Sequence, residues 1–483
     1  MPLDILNTMY VLGPNALPGW QYIKQYGPPM AVAGILKYYF RGSTNTWDRT
    51  LHGKVFIVTG GTSGVGAEVV KDLAKRGAQL VLLTSQLEET AGSSAHLWAS
   101  EYIDDLRDQT DNFMIYGEPC DLSSLHSVRK FATKWIDNKT PRRLDGVICI
   151  ASECAPMGKT RESSVDGVEL QTAVNYLGHV HLLKLLEPAL KSQPADRDVR
   201  VLVTSCISQA TGEIDPDDIL WNKRKYPSNK PWRVYGSSKL LLNMFAKEYQ
   251  RRLENYVRSD KAPCNIRINV INPGVIRSPS TRRFLSMGSL FGLLLYLIFY
   301  PIWWLFLKSC VQGAQSFLYA IYCPLLMDIR GGNYIKECSI ISKPVRKELE
   351  DETLQGEIFD KTLTLIDSLE RESAIQRKKD QIKEGKTDKK GNTKKSEEIK
   401  KTGKSKSKEN SDGKTSDSLS VFASAFGNTN NDSLQDDFQK IMNRPGNDEK
   451  SKNLRLRSID SKFERSRATN SNKEEAKNKV TEA

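Results

Sequence analysis

Tyr235 and Lys239 are the residues whose types and spacing most directly suggest chemistry, since they stand four positions apart. In a helix, residues i and i+4 share one face, so the phenol and the ammonium would be neighbours. A phenol has a pKa of about 10 and is a poor base at neutral pH, but an adjacent ammonium favours the phenolate. Tyr235 would then accept the proton of an alcohol during oxidation, or donate a proton to a carbonyl during reduction.

A glycine-rich run joins a predicted strand to a predicted amphipathic helix. It reads Thr59-Gly60-Gly61-Thr62-Ser63-Gly64-Val65-Gly66. Gly60 allows a tight turn, Gly64 lets the backbone approach a pyrophosphate, and Gly66 lets helix and strand pack closely. The phosphates would lie at the N-terminus of the helix. The run therefore predicts a dinucleotide site.

The elements that must position these residues alternate between short β-branched runs and longer helical stretches over residues 51–371. Strands are predicted over 54–59, 80–83, 146–150, 199–204 and 266–271. Helices are predicted over 65–76, 98–109 and 125–138. Strands that alternate with helices indicate a parallel sheet covered on both faces. The expected fold class is α/β, a Rossmann-type doubly wound parallel sheet.

The order and spacing of the motifs resemble those of the short-chain dehydrogenase/reductase family, over about residues 50–371. Beside the glycine run and the YxxxK pair, the matching stretches are Asp121-Leu122, Val174-Asn175-Tyr176-Leu177-Gly178-His179 and Asn272-Pro273-Gly274-Val275-Ile276-Arg277-Ser278. The chain is particularly similar to the membrane-associated, retinol-dehydrogenase-like branch and, within it, to uncharacterised fungal oxidoreductases.

The resemblance implies hydride transfer with an NAD(P)(H) cofactor. Tyr235 would be the acid/base, Lys239 its activator and a ligand of the nicotinamide ribose, and Asn175 part of a proton relay. Ser205 or Cys206 would donate a hydrogen bond to the substrate oxygen. The residues expected to bind the cofactor are Thr59, Gly60, Thr62, Ser63, Gly64, Val65, Gly66, Asp121, Asn175, Tyr235, Lys239, Pro273, Gly274, Val275 and Ser278.

Two stretches depart from the family pattern. Cys206 occupies the position of the family's active-site serine, with Ser205 just before it. A thiol is a weaker donor than a hydroxyl, so the rate would fall on the order of 10²–10³-fold unless Ser205 or Ser208 substitutes. Cys149-Ile150-Ala151-Ser152 replaces the family's Asn-Asn-Ala-Gly. The alternative function is thus a nucleotide-binding scaffold of the same fold with weak catalysis.

Cofactor choice depends on the end of the second strand, Leu82-Leu83-Thr84-Ser85-Gln86. An acidic residue there would bind the NAD ribose and repel a 2′-phosphate, and none is present. Related membrane enzymes often have an arginine where Ser85 stands. NADP is therefore expected in preference to NAD.

An uncharged run over 284–307 is long enough to span a bilayer. The resemblance places a last helix at 312–315 and a last strand at 332–335, and both must return to the same sheet. A re-entrant or surface-lying membrane element is therefore expected, the alternative being a substrate lid packed on protein. Either arrangement gives the site an apolar wall and favours a lipophilic alcohol or carbonyl compound.

The two terminal parts differ from this domain in composition. Residues 1–50 form an aromatic and apolar arm whose run over 29–40 is too short to span a bilayer, and both a surface anchor and a packing arm remain open. This arm lacks the features of a cleaved signal peptide. Residues 372–483 are rich in Lys, Ser and Asn, which predicts a disordered, phosphorylatable tail, or alternatively one that binds nucleic acid or anionic lipid. A short partner-binding helix over 434–442 is a weaker prediction.

Composition limits the remaining partners. The chain has 483 residues and a net charge of +13, but residues 377–408 carry most of the local positive excess, so no specific nucleic-acid partner is expected. Eight scattered cysteines without a CxxC pair argue against a metal site and predict free thiols in a reducing compartment. A cytosol-facing location on endoplasmic reticulum or lipid droplet follows from the resemblance, with a homodimer possible.

Overall fold

The structure is a computed structural model that describes residues 10, 11, 13, 20–88, 91–137 and 141–402, with side chains as far as residue 379. The chain divides into two compact units, residues 1–389 and 390–483. Of the second unit only the backbone of 390–402 is described, as the end of a helix. The predicted segment 434–442 and most of the predicted tail lie outside the described residues.

An eight-stranded sheet forms the centre of the first unit. Its strands are β1 Val55–Thr59, β2 Gln79–Thr84, β3 Ile115–Pro119, β4 Gly146–Cys149, β5 Val199–Thr204, β6 Ile266–Asn272, β7 Tyr334–Lys336 and β8 Ser339–Ile341. The order across the sheet is β3-β2-β1-β4-β5-β6-β7-β8, and every neighbouring pair is parallel except β7 with β8. From β1 the chain adds β2 and β3 on one side and then β4 to β8 on the other, so the order of connection reverses between β1 and β4. Sheets of this type bind ligands at such a point.

Helices cover both faces of the sheet. The longer ones are α1 Trp20–Arg41, α2 Gly64–Lys75, α3 Ser93–Thr110, α4 Leu125–Ile136, α5 Gly178–Lys191, α6 Pro231–Glu254, α7 Pro279–Leu285, α8 Leu290–Ile298, α9 Tyr300–Phe306, α10 Cys310–Tyr322 and α11 Glu352–Thr402. Val55 and Ile57 of β1 belong to the core formed with α4, α5 and α6, while Phe56 and Val58 belong to the core formed with α2, α3 and α10. Alternate side chains of β1 therefore pack into two cores, one on each face of the sheet, which confirms the predicted doubly wound fold.

The uncharged run over 284–307 is divided among α7, α8 and α9. Met287 and Gly288, with φ of +51° and +65°, break the chain between α7 and α8. Ile276 and Lys308 pair as a parallel bridge. The segment between them, here named the excursion over α7 to α9, therefore leaves and rejoins the domain at one point. Within the described ranges, no helix combines the length and the apolar content required to cross a membrane.

Helix α1 contacts the end of this excursion. Lys37 Nζ donates to the carbonyl oxygens of Trp304 and Leu307, and the rings of Phe40 and Phe306 meet edge to face at 5.0 Å. No residue of α1 is buried. Helix α1 thus packs on protein at this point and leaves most of its apolar surface exposed. A surface anchor stays a prediction.

Helix α11 packs on the outer side of the core formed with α4, α5 and α6, which is called the first core. Phe359 is 1% exposed and stacks on Phe245 with ring centroids 4.9 Å apart, and Thr362 Oγ1 lies 2.8 Å from the hydroxyl of Tyr176. The predicted boundary at residue 372 falls inside this helix, which continues to Thr402. Residues 403–483 lie outside the described part.

Candidate active site

A cleft of about 760 Å³ opens at the carboxyl ends of the strands around β1 and β4. The predicted site residues that line it are Gly60, Thr62, Ser63, Gly64, Val65, Asp121, Ser205, Cys206, Tyr235, Pro273, Gly274, Val275 and Ser278. Four predicted residues, Thr59, Gly66, Asn175 and Lys239, do not line the cleft and are buried behind it. The fold therefore brings the separated motifs to one place.

The glycine run has the backbone geometry that a close approach requires. Gly60 has a φ of +67°, and a Cβ there would lie 2.7 Å from the backbone of Ala151. A Cβ on Gly66 would lie 2.0 Å from the carbonyl oxygen of Gly60, so helix α2 can start against the loop only without a side chain at this position. The first turn of α2 carries no acidic residue, and the Ser63 side chain does not cap it. Its N–H groups are thus available to an anion in the cleft.

Tyr235 and Lys239 lie on α6 with the Lys239 Nζ 5.7 Å from the centre of the phenol ring. Lys239 is fully buried, and its ammonium has no hydrogen-bond partner among the described residues. Burial lowers the pKa of Lys239 to about 8, although the nearby thiols, Cys206 first among them, act in the opposite direction.

The phenol of Tyr235 differs from the expectation of a depressed pKa. Burial raises the pKa of Tyr235 well above its ordinary value, and the neighbouring thiols of Cys206 and Cys154 add to this effect. The expectation was wrong for this arrangement because desolvation of the phenolate outweighs the nearby ammonium. Tyr235 is therefore protonated at neutral pH, the form that donates a proton to a carbonyl.

The side chains of Ser152 and Cys206 lie within hydrogen-bonding reach of the Tyr235 hydroxyl. Ser205 is 1% exposed, and its hydroxyl donates to Gln209 Oε1 at 2.9 Å, behind the cleft. Of the two candidates for the donor position, Cys206 is thus the one beside Tyr235. Ser152 was not predicted as a site residue, although a serine in place of the family's glycine in that stretch was a visible signal.

Asn175 lies in a π-helical turn, Ala173–Leu177, that precedes α5. Its Oδ1 accepts from the backbone N of Glu153 at 2.7 Å, and its Nδ2 donates to the carbonyl oxygen of Glu153 at 2.9 Å and to Ser238 Oγ at 3.1 Å. The side chain therefore clamps the loop after β4 to α6. A part in a proton relay stays a prediction.

Thr59 joins three elements behind the cleft. Its Oγ1 accepts from the backbone N of Ile150 at 3.1 Å and of Ala151 at 3.2 Å, so its own hydrogen points to His179 Nε2 at 3.0 Å. Burial lowers the pKa of His179 to about 3, which keeps this imidazole neutral and able to accept. The side chain of Thr59 thus holds β1 against the end of β4.

The cofactor end of the cleft is polar. Asp121 accepts from the backbone N and the hydroxyl of Ser123 at 2.9 and 2.8 Å, which fixes its carboxylate at the cleft wall. Thr84 Oγ1 accepts from the backbone N of Gln86, and the exposed Ser85 lies on the lining between them. Gly274 turns the chain after β6 with a φ of +84°.

The opposite wall is apolar and comes from the excursion over α7 to α9. Phe284, Leu285, Trp303 and Leu307 line the cleft. The ring of Phe284 meets that of Trp232 edge to face at 6.4 Å.

These residues fit a nicotinamide dinucleotide. The unpartnered ammonium of Lys239 requires a polar ligand, since a buried charge without one costs several kcal/mol. The ribose hydroxyls of such a cofactor would supply that ligand, and the glycine run would hold the phosphates. The cofactor supplies or accepts a hydride when bound.

Comparison with known proteins agrees with this geometry. The family model of the short chain dehydrogenases matches residues 54–212. An uncharacterised oxidoreductase of Saccharomyces cerevisiae is 43% identical over 396 residues, 78% of this chain and 95% of the relative. Retinol dehydrogenase 13 of Homo sapiens is 30% identical over 70% of this chain and 92% of its own, and polyprenol dehydrogenase of Mus musculus 31% identical over 59% and 76%. The chain belongs to the short-chain dehydrogenase/reductase family of NAD(P)-dependent oxidoreductases.

Proposed function

We propose that this protein is a membrane-associated oxidoreductase that prefers NADP(H) and transfers hydride to or from a lipophilic aldehyde, ketone or alcohol. The observation that carries the proposal is the pair of Tyr235, which lines a cleft with an apolar outer wall, and the ammonium of Lys239 buried behind it, which has no hydrogen-bond partner among the described residues. Two relatives are named for apolar alcohols, retinol and polyprenol.

In the reducing direction, Tyr235 donates its proton to the carbonyl oxygen as the carbon receives hydride. The phenolate left behind lies near the ammonium of Lys239, which stabilises it in a site shielded from water. In oxidation the same phenolate accepts the alcohol proton. Asn175 keeps the loop after β4 in place through its two hydrogen bonds to Glu153.

Lipophilic substrates are favoured by the wall of the cleft. Each methylene that moves from water into contact with Phe284, Trp303 and Leu307 contributes about 0.8 kcal/mol. A long apolar chain therefore binds more tightly than a short polar one.

The preference for NADP rests on residues 84–86. Thr84, Ser85 and Gln86 carry no carboxylate, so a 2′-phosphate would meet no like charge from them. The hydroxyl of Ser85 is exposed on the cleft lining and can donate to a phosphate oxygen.

Membrane association rests on the outer faces of α1, α8 and α9. Leu290 is 87% exposed, Phe291 69% and Tyr38 78%. Apolar side chains of this number on neighbouring helices suit the interface of a bilayer or a lipid droplet. The eight free cysteines are compatible with a domain that faces the cytosol.

The test is a reductase assay on the purified full-length chain with NADPH and with NADH. The panel contains all-trans-retinal, decanal and, as the short polar member, glyceraldehyde. We expect retinal or decanal to be reduced at least tenfold more efficiently than glyceraldehyde, faster with NADPH, and not at all by Tyr235→Phe. Cofactor binding without turnover of any member would support the scaffold alternative instead.

A further inference from the structure

Ser152 lies at the point where the glycine run, the end of β4 and the Tyr235/Lys239 helix meet. It is half-buried and lines the cleft. The backbone of its neighbour Ala151 packs against Gly60 of the glycine run. On its other side, the side chain of Ser152 lies within hydrogen-bonding reach of the hydroxyl of Tyr235, and both residues line the cleft.

The loop that carries Ser152 is held on both sides. The backbone N–H and carbonyl of Glu153 are both bonded to the amide of Asn175, at 2.7 and 2.9 Å. The Glu153 carboxylate forms an ion pair with Arg283 of α7 at 2.7 Å. Ser152 is therefore presented to Tyr235 by an ordered scaffold, as a preorganised donor must be.

Neither of the other serine candidates has this arrangement. The hydroxyl of Ser205 is committed to Gln209, within a buried network that continues from Gln209 Nε2 to the hydroxyl of Tyr334 at 3.0 Å. Ser208 lines the cleft but follows the strand end by four residues, in the short helical turn Ile207–Thr211. Cys206 contacts Tyr235 but carries a thiol, which donates weakly.

We propose that Ser152 is a catalytic residue, whose hydroxyl donates a hydrogen bond to the substrate oxygen beside Tyr235 and so compensates for the thiol at position 206. The inference rests on the proposed function. In carbonyl reduction, negative charge develops on the oxygen as hydride reaches the carbon. Tyr235 delivers a proton to that oxygen while Ser152 donates to it without being consumed. A hydroxyl carries one proton and rotates freely, so Ser152 donates to Tyr235 in the free protein and to the substrate oxygen once substrate is bound.

The experiment compares Ser152→Ala, Ser152→Thr and the control Ser192→Ala with the parent protein, on the aldehyde of the panel that is reduced fastest. We expect Ser152→Ala to lower kcat roughly 10²-fold with a nearly unchanged KM and NADPH affinity. Ser152→Thr keeps a hydroxyl and should retain most of the rate. Ser192→Ala removes an exposed hydroxyl outside the cleft and should remain within about threefold of the parent. Ser152→Gly, which also removes the hydroxyl, replaces Ser152→Ala if that variant does not fold.

Two further readouts separate a donor from a merely structural residue. In the free protein, Ser152 donation to the Tyr235 oxygen favours the phenolate, so its loss should move the limb of Tyr235 to higher pH in the profile of kcat/KM, which reports the free protein. In a Cys206→Ser background, Ser152→Ala should cost clearly less than in the parent, because a second hydroxyl is then present.

Two results distinguish a failure of the role assigned to Ser152 from a failure of the proposed function. If Ser152→Ala and Ser152→Gly keep the kcat and pH profile of the parent while Tyr235→Phe is inactive, the assignment of Ser152 is wrong and the proposed function stands. If Tyr235→Phe retains activity, or no aldehyde is reduced, the proposed function fails and the role of Ser152 fails with it.

Discussion

At the scale of single residues, burial sets the charge states of the candidate site. The same desolvation that lowers the pKa of Lys239 to about 8 raises the pKa of Tyr235 well above its ordinary value. Both groups are therefore driven toward their neutral forms until a ligand enters the cleft. The buried ammonium of Lys239 therefore lowers the stability of the free protein, and a bound cofactor would offset this cost.

Burial of the Lys239 ammonium lowers the free energy of unfolding, and this effect should depend on pH. Its pKa is about 8 in the folded protein and 10.5 in the unfolded one, so the unfolded state binds more protons between these values. The penalty, on the order of 3 kcal/mol, is fully present below pH 8 and disappears as the pH rises toward 10.5. Lys239→Met should therefore unfold at higher urea concentration than the parent at pH 7, with a smaller difference at pH 9.5.

The control for this measurement is Lys130→Met, on the exposed face of α4. We expect its urea midpoint to stay within experimental error of the parent at both pH values, because an exposed ammonium remains hydrated. An equal stability of Lys239→Met and parent at pH 7 would show that the ammonium has a partner in solution. NADPH should stabilise the parent and hardly affect Lys239→Met.

The thiol in the donor position leads to a second prediction at this scale. Cys206→Ser places a stronger donor beside Tyr235 without a change in side-chain shape, so kcat should be preserved or rise, by up to about tenfold. Steady-state kinetics on the aldehyde reduced fastest measures this. A strong loss of kcat would mean that the thiol has a role a hydroxyl cannot fill.

At the scale of elements, the excursion over α7 to α9 presents apolar side chains both to the cleft and to solvent. Trp303 and Leu307 line the cleft, while Leu290, Phe291 and Ile298 point to solvent. The Ile276–Lys308 bridge brings its two ends together, so both flanks stay on one side of any membrane that the excursion touches. One apolar element can therefore wall the site and contact lipid.

The outer face of α8 should carry much of the membrane affinity. In Phe291→Glu/Ile298→Glu, two side chains that are 69% and 61% exposed become charged. We expect at least tenfold weaker sedimentation with phosphatidylcholine/phosphatidylserine vesicles, while NADPH affinity is unchanged because neither residue lines the cleft. Val257→Glu, at a position that is 81% exposed and lies outside these helices, is the control and should bind vesicles like the parent. Unaltered binding of the double variant would leave α1 as the anchor.

At the scale of the whole molecule, the domain needs the first part of α11. Ile358, Phe359 and Ile366 are buried in the first core, and Glu370 pairs with Arg129 and His181. Large-to-small changes at buried phenylalanines cost about 3–5 kcal/mol, so removal of the whole helix should unfold the domain.

Two truncations test where the folded domain ends. A chain that stops at residue 376 keeps these contacts and should melt cooperatively, at nearly the temperature of the full chain, with intact NADPH binding. A chain that stops at residue 351 should lose cooperative melting, which differential scanning calorimetry would detect. If the first truncation also lost its transition, residues after 376 would contribute to the fold.

The sheet class, the position of the glycine run and the Tyr235/Lys239 pair could all be predicted from the amino-acid sequence. These features depend on local periodicity and on short spacings, such as the four residues that place two side chains on one helix face. The predicted strands therefore coincide with β1, β2, β4, β5 and β6 to within about two residues at either end. The antiparallel β8 was not predicted, because three residues carry too little pattern.

The side chains that surround Tyr235 could not be predicted from the sequence, because they come together only in the folded chain. Ser205 and Cys206 are adjacent in sequence and both line the cleft, yet the hydroxyl of Ser205 is committed to Gln209 while the thiol of Cys206 lies beside Tyr235. Ser152 reaches Tyr235 from a position 83 residues earlier, through a loop clamped by Asn175. The pKa of Tyr235 likewise depends on how far the fold excludes water, and desolvation is a property of the packed whole that no local spacing encodes.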